Sequence, residues 1–417
     1  MLLLRVFVPF ALGYFLSFLF RSINAVVGPR LAGEFALPPE ALGFMTSAYF
    51  LTFAAAQLPI GLALDHFGPR RTVSFLLLFA ALGAFLFAQA ESQGGLVLGR
   101  ALIGLGVAAC LMSSLKAFVL WYPQDRLPTL NGSVLAIGGL GAVVATAPVE
   151  AVLALWGWRT LFLGLAGATL FAALTIFLAV PEKPGGRSGE SLGTMVRGLG
   201  SILASGLFWR IGPLVLTTSA AMQSFLGLWG GPWLRDVGGY DATTASELLL
   251  SYAIAMTAGF MGMGWLTPRL IRRGYQPLRI AAAVLALSFL GQAGVVAGLT
   301  GVAWLWMSIM GFFGTAAMLF YAAVVPVYGA ARSGRVSTAL NLLSFTGAFL
   351  GQWLTGVVIG LFPHGTEGYA PAGYATAFGL LLALEALAFL WLLPALRQPP
   401  GPHQSATGGR SPRIAKQ

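Results

Sequence analysis

Three cationic side chains, Arg21, Arg100 and Lys116, lie inside long apolar segments of the chain. At the centre of a membrane span, each such charge costs about 2.5–3.5 kcal/mol on insertion scales, so each needs a partner. Arg21 has neutral neighbours on its own helical face, and we expect no acid at a matching depth on the surrounding segments. A bound anion is the simplest missing partner. The alternative is a structural role in which Arg21 donates hydrogen bonds to backbone carbonyls.

Polar residues recur on single helical faces of several apolar segments. Tyr14, Arg21 and Asn24 share a face near the N-terminus, and Asn341 and Gln352 share another. Polar groups in hydrocarbon face a partner or a water-lined cavity. We therefore expect a ligand-binding cavity near the middle of the membrane. The residues predicted to contact the ligand are Arg21, Asn24, Tyr14, Tyr49, Gln223, Asn341, Gln352 and Lys116.

Arg100 and Glu150 are the candidates for ion coupling or gating. Each lies about one helical turn from the outer end of its segment, so we predict that they form a pair, with Glu34 nearby. Such a pair can relay protons, or it can act as a purely structural gate. Lys116 lies nearer the opposite membrane surface, and its long side chain can reach that surface instead of the cavity.

The composition indicates an integral membrane protein. Hydrophobic residues make up 57% of the chain, charged residues only 9%, and the mean hydropathy is +0.82. A span needs about 20 mostly apolar residues, and the sequence contains twelve such runs. They lie near 6–28, 43–64, 73–91, 96–121, 130–153, 160–180, 210–231, 245–266, 278–298, 301–326, 336–361 and 372–394.

The distribution of basic residues predicts the orientation. With alternating spans, 18 of the 24 lysines and arginines fall on the side of both termini, three on the other side and three within spans. Basic loops favour the cytoplasmic side, so we expect both termini in the cytoplasm, and the short loops favour a bacterial inner membrane. The net charge of +11 then faces anionic lipid, which argues against nucleic-acid binding.

A short charged segment separates the second and third spans. It reads Gly61-x-x-x-Asp65-x-x-Gly68-x-Arg70-Arg71. This pattern resembles the signature loop of the major facilitator superfamily, although His66 stands where that family usually has Arg or Lys. The resemblance implies secondary transport, with Asp65, Arg70 and Arg71 latching one half of the protein against the other in the outward-open state and Gly61 and Gly68 acting as hinges. The stretch around Arg100, Arg-x-x-x-Gly-x-Gly, also resembles a pattern of this family.

The family resemblance implies an all-α integral membrane fold in which twelve transmembrane helices form two six-helix pseudo-repeat halves. We expect the halves at residues 1–180 and 210–398, a cytoplasmic linker at 181–209, and a disordered basic tail at 399–417. Within the linker, apolar residues recur every three to four positions from Leu192, which favours an amphipathic helix on the membrane surface. A flexible linker is the alternative, because the segment is rich in glycine.

Several function classes are excluded by what the sequence lacks. It has no phosphate-binding Gly-x-x-x-x-Gly-Lys-[Ser/Thr] loop, no cluster of metal-binding residues and no plausible nucleophile–base pair. We therefore expect neither an enzyme nor a bound cofactor or metal. The leading hypothesis is a monomeric, proton-coupled transporter of a small organic anion. A multidrug or metabolite exporter is the first alternative, and a non-transporting membrane sensor or partner subunit is the second.

Overall fold

A computed structural model describes residues 2–182, 192–328, 333–363 and 368–396, and every regular element in these ranges is a helix. Eleven helical stretches are long and apolar enough to cross a membrane. One of them, Pro39–Ala88, has 50 residues, so it is about 75 Å long against about 30 Å of hydrocarbon. It therefore supplies two spans, and the prediction of twelve spans is confirmed.

The first half contains six spans. Its helices are α1 (Val8–Ser22), α2 (Asn24–Glu34), α3 (Pro39–Ala88), α4 (Gln93–Val107), α5 (Cys110–Trp121), α6 (Leu127–Val144) and α7 (Ala147–Ala179). A π-helical turn, Leu3–Phe7, leads into α1. The side chain of Ser92 caps α4 by accepting a hydrogen bond from the Gly95 amide at 3.2 Å, which satisfies a donor that has no partner within the helix.

The second half repeats this plan. Helix α8 (Leu192–Leu203) precedes it, and its own helices are α9 (Gly206–Ser224), α10 (Gly230–Asp236), α11 (Ala242–Arg272), α12 (Pro277–Val296), α13 (Ala303–Gly314), α14 (Ala316–Val324), α15 (Ser333–Gly360) and α16 (Pro371–Leu396). The helix expected between the halves is present as α8. The rest of the predicted linker at 183–191, and the predicted tail from residue 399, lie outside the described residues.

Two glycines break long helices where a chain reversal was expected. Gly68 in α3 has φ +78°, and Gly157 in α7 has φ +72°. Residues with a Cβ rarely adopt this left-handed conformation, whereas glycine does so without steric cost. Gly68 therefore separates the second and third spans, and Gly157 separates the fifth and sixth. This geometry explains the second glycine of the 61–71 motif.

The two ends of the bundle can be told apart by their loops. We call the end that holds residue 2 and the 65–71 segment the proximal end, and the opposite end the distal end. At the distal end the halves touch through glycines: a Cβ added to Gly231 would lie 1.9 Å from the Ala25 carbonyl oxygen, and one added to Gly356 would lie 2.4 Å from that of Pro39. Small residues permit such close helix contact, so the distal end is closed.

The outer surface of the bundle is apolar. On α16, Leu380, Leu384, Leu387 and Trp391 are exposed along one helical face, and α7 presents a similar stripe that includes Phe171. A soluble protein rarely exposes stripes of this kind, whereas a bilayer solvates them. The chain is therefore a multi-pass membrane protein, with α7 and α16 facing lipid.

Candidate functional site

A narrow cavity of about 120 Å³ lies between the two halves. Helices α1, α3, α4 and α5 line it from the first half, and helices α9, α11, α14 and α15 line it from the second. Phe53 and Gln57 on α3 line the cavity on the proximal side of the closed distal contact. The polar residues that line it are Tyr14, Ser17, Arg21, Gln57, Ser219, Gln223, Thr315, Tyr321, Asn341 and Ser344.

Arg21 is the cation of this cavity. It lies in the last turn of α1, and its guanidinium carbon is 4.6 Å from the ring centroid of Phe18, 5.5 Å from that of Phe53 and 5.2 Å from that of Phe345. Such contacts attract a cation to the ring faces but leave its N–H groups free to donate. Among the described residues, no carboxylate pairs with Arg21, and its Nε is buried without a hydrogen-bond partner.

Polar groups from the second half complete the cavity. Ser344 Oγ donates to Ser219 Oγ at 3.0 Å, which joins α15 to α9. The Nε2 atom of Gln223 is buried without a partner among the described residues. Unpaired buried donors are costly, so Gln223 Nε2 and Arg21 Nε are both suited to an acceptor that enters the cavity.

Four of the eight predicted ligand-contacting residues line the cavity: Tyr14, Arg21, Gln223 and Asn341. Asn24, Tyr49 and Gln352 do not. Asn24 Nδ2 donates to Thr46 Oγ1 at 3.0 Å, and the Tyr49 hydroxyl donates to the Ser17 carbonyl at 3.2 Å. These side chains are fully buried and join helices behind the cavity wall.

Gln352 is also behind the wall, but it touches a residue that lines the cavity. Its Nε2 atom donates to the Gln223 carbonyl at 2.7 Å, and Gln352 is fully buried on α15. It therefore positions the α9 backbone at Gln223 from the other side. In this conformation Gln352 supports the cavity wall and does not line the cavity.

Lys116 lies away from the cavity, near the proximal end. Its ammonium group is 2.5 Å from Asp65 Oδ1 and donates to the Leu64 carbonyl at 2.8 Å. Asp65 of the 61–71 segment therefore supplies the negative charge that Lys116 lacks within its own apolar span. Lys116 therefore does not line the cavity in this conformation.

The predicted pair of Arg100 and Glu150 does not form. Arg100 is fully buried, donates to the Phe20 carbonyl at 2.9 Å and lies 5.0 Å from the ring centroid of Tyr49. Glu150 instead accepts two hydrogen bonds from Arg30, at 2.6 and 2.7 Å. Two side chains at a similar depth in the membrane do not meet when they project from their helices in different directions.

Glu34, which was expected near that pair, lies at the distal surface. It accepts from the Trp158 indole at 2.7 Å and pairs with Arg159 at 2.5 Å. Both partners follow the Gly157 break. The acid therefore fastens the loop between the fifth and sixth spans.

The arginines of the 61–71 segment contact the sixth span. Arg71 is 2.5 Å from Glu182 Oε1, and Arg70 Nε donates to the Phe177 carbonyl at 2.8 Å. The contacts of Arg70 with Phe177 and of Asp65 with Lys116 lie within the first half, and Glu182 follows directly after its last helix. In this conformation, with the distal end closed, the segment braces one half and does not latch the two halves together.

The aromatic rings that contact the Arg21 guanidinium were not predicted from the sequence. Phe53 and Phe345 meet across the boundary between the halves, with ring centroids 4.0 Å apart. Phenylalanine in an apolar span carries no signal by itself. Their spacing in the sequence is informative, because residues four apart share a helical face. Phe53 lies four residues from Gln57, and Phe345 lies four residues from Asn341, and both polar residues line the cavity.

Two six-span halves around a central cavity are the architecture of a transporter that alternates access between two sides of a membrane. A family model described as Major Facilitator Superfamily matches residues 10–352, which is most of the chain. The chain therefore belongs to the major facilitator superfamily. It is a membrane transporter of small molecules and not an enzyme.

The relatives of known name are transporters with different named roles. A probable sulfoacetate transporter of Cupriavidus necator is 25% identical over 298 residues, covering 67% of this chain and 68% of the relative. A nitrate/nitrite transporter of Picosynechococcus sp. is 33% identical over 129 residues, covering 31% and 24%. An efflux pump of Aspergillus niger is 29% identical over 263 residues, covering 62% and 47%.

Solved structures share the fold. A bacterial homologue of the human lysosomal transporter Spinster, in an inward-facing and unoccupied conformation, has a TM-score of 0.70 at 18% identity. The match covers 94% of this chain and 96% of that one. It supports the arrangement of the helices described above.

Proposed function

We propose that this transporter moves a small organic anion together with a proton by alternating access. The observation that carries this proposal is Arg21, a cavity-lining cation with no carboxylate partner among the described residues. A guanidinium presents several N–H donors that suit carboxylate or sulfonate oxygens. An anion bound there would also find the free Nε2 donor of Gln223.

The size of the cavity favours a small ligand. Its volume of about 120 Å³ is well below the roughly 300–1,000 Å³ of pockets that hold drug-sized molecules. Two relatives named above as transporters of sulfoacetate and of nitrate or nitrite support an anionic substrate. We therefore choose sulfoacetate and nitrate as the first probes.

The proposed setting is a bacterial inner membrane, with the protein monomeric and both termini in the cytoplasm. The basic loops at the proximal end support this orientation. The distal contact then seals the outer side, and the cavity belongs to a conformation that faces the cytoplasm. A reporter domain fused to the C-terminus, active only in the cytoplasm, tests the orientation.

Ligand binding to the detergent-purified protein tests the role of Arg21. A ligand that binds only the folded state raises the melting temperature. We expect sulfoacetate or nitrate to stabilise the wild-type protein. Replacing Arg21 with methionine removes charge-assisted hydrogen bonds of about 1.5–3 kcal/mol, so the dissociation constant should rise about 10- to 150-fold.

The matched control is Arg126→Met, which removes the same charge from an exposed loop residue. It should bind the anion as the wild type does. Equal anion affinity in Arg21→Met and the wild type would overturn the proposal.

One observation favours an exporter of larger apolar compounds as a second candidate. Met222, Met256 and Met318 line the cavity, and flexible methionine side chains adapt to varied ligands. This candidate predicts stabilisation by lipophilic cations that persists in Arg21→Met. Anion binding without any flux in proteoliposomes would instead indicate a sensor or partner subunit of the same fold.

A further inference from the structure

Two acidic side chains are buried among the described residues, Glu150 and Glu385. Glu150 is held by Arg30 through two hydrogen bonds, so its negative charge is compensated. Glu385 lies midway along α16, is fully buried, and pairs with no cation of the part of the chain that the structure describes. It is thus the buried acid whose charge has no counterion.

The surroundings of Glu385 are neutral. Its Oε2 atom accepts from Gln292 Nε2 on α12 at 2.8 Å, and its Oε1 atom has no partner among the described residues. The titratable group that faces it is the Tyr252 phenol on α11. Thr218 on α9 and Ser288 on α12 complete the lining with hydroxyls. A buried carboxyl group without a cation is far more stable when neutral than when ionised, so this site favours the protonated acid.

A small cavity lies between this acid and the central cavity. The space beside Glu385 measures about 10 Å³, close to what one water molecule requires. Met222 and Gly314 line both this space and the central cavity. A shift of these two residues would therefore open a path between Glu385 and the ligand.

Helix α9 links the acid to the ligand site mechanically. Thr218 faces Glu385, while the adjacent Ser219 and, one turn further, Gln223 line the central cavity. Movement of α9 when an anion contacts Gln223 would change the neighbours of the carboxyl group. Proton affinity and anion occupancy are then coupled through one helix.

We propose that Glu385 is the proton-binding residue of this transporter. The carboxylate takes up a proton from water on one side of the membrane, forming the Oε–H bond, and returns the same proton to water on the other side. This inference rests on the proposed proton-coupled anion transport. It also assigns coupling to the second half, away from the salt bridge of Glu150.

The transport test uses proteoliposomes containing wild-type protein, Glu385→Gln, or the control Glu247→Gln, which alters an exposed acid of the same half. The probe is radiolabelled sulfoacetate. With one proton per anion, a gradient of about one pH unit drives accumulation up to about tenfold. We expect Glu385→Gln to exchange sulfoacetate across the membrane but to accumulate none above equilibrium, while Glu247→Gln does both. Tenfold accumulation by Glu385→Gln would overturn the proposal.

A second measurement does not depend on the substrate. The infrared carboxylic-acid C=O band of the purified wild-type protein reports protonated acids. We expect a band at neutral pH that is absent from Glu385→Gln and retained in Glu247→Gln. If Glu385→Gln leaves the band unchanged, Glu385 is not the proton site, whatever the protein transports. A band that behaves as expected, in a protein that moves no anion, would contradict the proposed anion substrate and keep the proton site.

Discussion

Replacing Gly231 with alanine tests whether the distal contact stabilises the conformation described here. Gly231 lies on α10 in the second half, and its backbone meets the Ala25 carbonyl on α2 of the first half. An added Cβ would lie 1.9 Å from that carbonyl oxygen. The contact exists only when the distal end is closed, so the substitution acts on one of the two conformations needed for transport.

The magnitude follows from the distance. Non-bonded heavy atoms pack at about 3.5–4.0 Å, so α10 and α2 must separate by more than about 1 Å to accept the methyl group. Overpacking of this kind costs about 1–3 kcal/mol. Because the cost falls only on the closed form, the equilibrium should shift toward a distally open form by about 5- to 150-fold.

Double electron–electron resonance measures this shift. Spin labels on cysteines introduced at Glu91 and Leu299, both exposed at the distal end of different halves, report the distance between the halves. The single native cysteine, Cys110, is first replaced with alanine. We expect Gly231→Ala to increase the population at longer distance.

Two glycine controls separate this effect from general damage. Gly33→Ala, where no atom lies within 4 Å of the added Cβ, should leave the distance distribution unchanged. In Gly106→Ala the added Cβ would lie 2.3 Å from the Ala80 amide nitrogen, within the first half. That variant should lower the melting temperature without changing the balance of conformations. A folded Gly231→Ala protein with the wild-type distance distribution would show that this contact does not stabilise the closed conformation.

Two further substitutions test acids that the structure places in salt bridges. Glu150→Gln removes the negative charge and one of the two acceptors that Arg30 contacts, which should cost about 1–3 kcal/mol, measured as a lower melting temperature, while gradient-driven sulfoacetate accumulation persists. A loss of accumulation would return the coupling role to Glu150. Hydrogen bonding from Trp158 and the charge of Arg159 lower the pKa of Glu34, so its ionised form stabilises the fold above the unfolded pKa of about 4.3. That contribution, less than about 1 kcal/mol at this exposed site, is lost as the pH falls through the folded pKa. Glu34→Gln should therefore melt with a weaker dependence on acidic pH than the wild type, and an unchanged dependence would contradict this assignment.

The number of spans, the position of Arg21 in the cavity and the importance of Gly68 were predictable from the sequence. The long apolar runs predict the twelve spans, because backbone groups in lipid must bond within helices. Arg21 was placed in the cavity because an unpaired charge in an apolar span is costly. Gly68 was singled out by its position in the motif, and its left-handed conformation gives the physical reason.

The contacts between spans were not predictable in the same way. Arg100 and Glu150 share a depth in the membrane, but the sequence does not report how each helix is rotated about its own axis. For Lys116 the sequence left two positions open, the cavity and the membrane surface, because it does not show that Asp65 lies within reach of the ammonium group. These are tertiary facts, set by packing between helices that are distant in sequence.

The aromatic contacts of Arg21 and the approach of Gly231 to Ala25 are also contacts between helices that are distant in sequence. Phe53 and Phe345 look like ordinary lipid-facing or core residues until the two halves are placed together. One glycine among 55 likewise gives no sign of the backbone that it meets. The contacts that these residues make become visible only when the two halves are seen together.

Uptake of radiolabelled sulfoacetate and nitrate into proteoliposomes by the wild type, Arg21→Met and Arg126→Met tests whether Arg21 binds the transported anion. We expect saturable uptake of at least one anion by the wild type and Arg126→Met, and at least a tenfold loss in Arg21→Met, because about 1.5–3 kcal/mol of binding is lost. Uptake of the anion by Arg21→Met at the wild-type rate would contradict this role of Arg21.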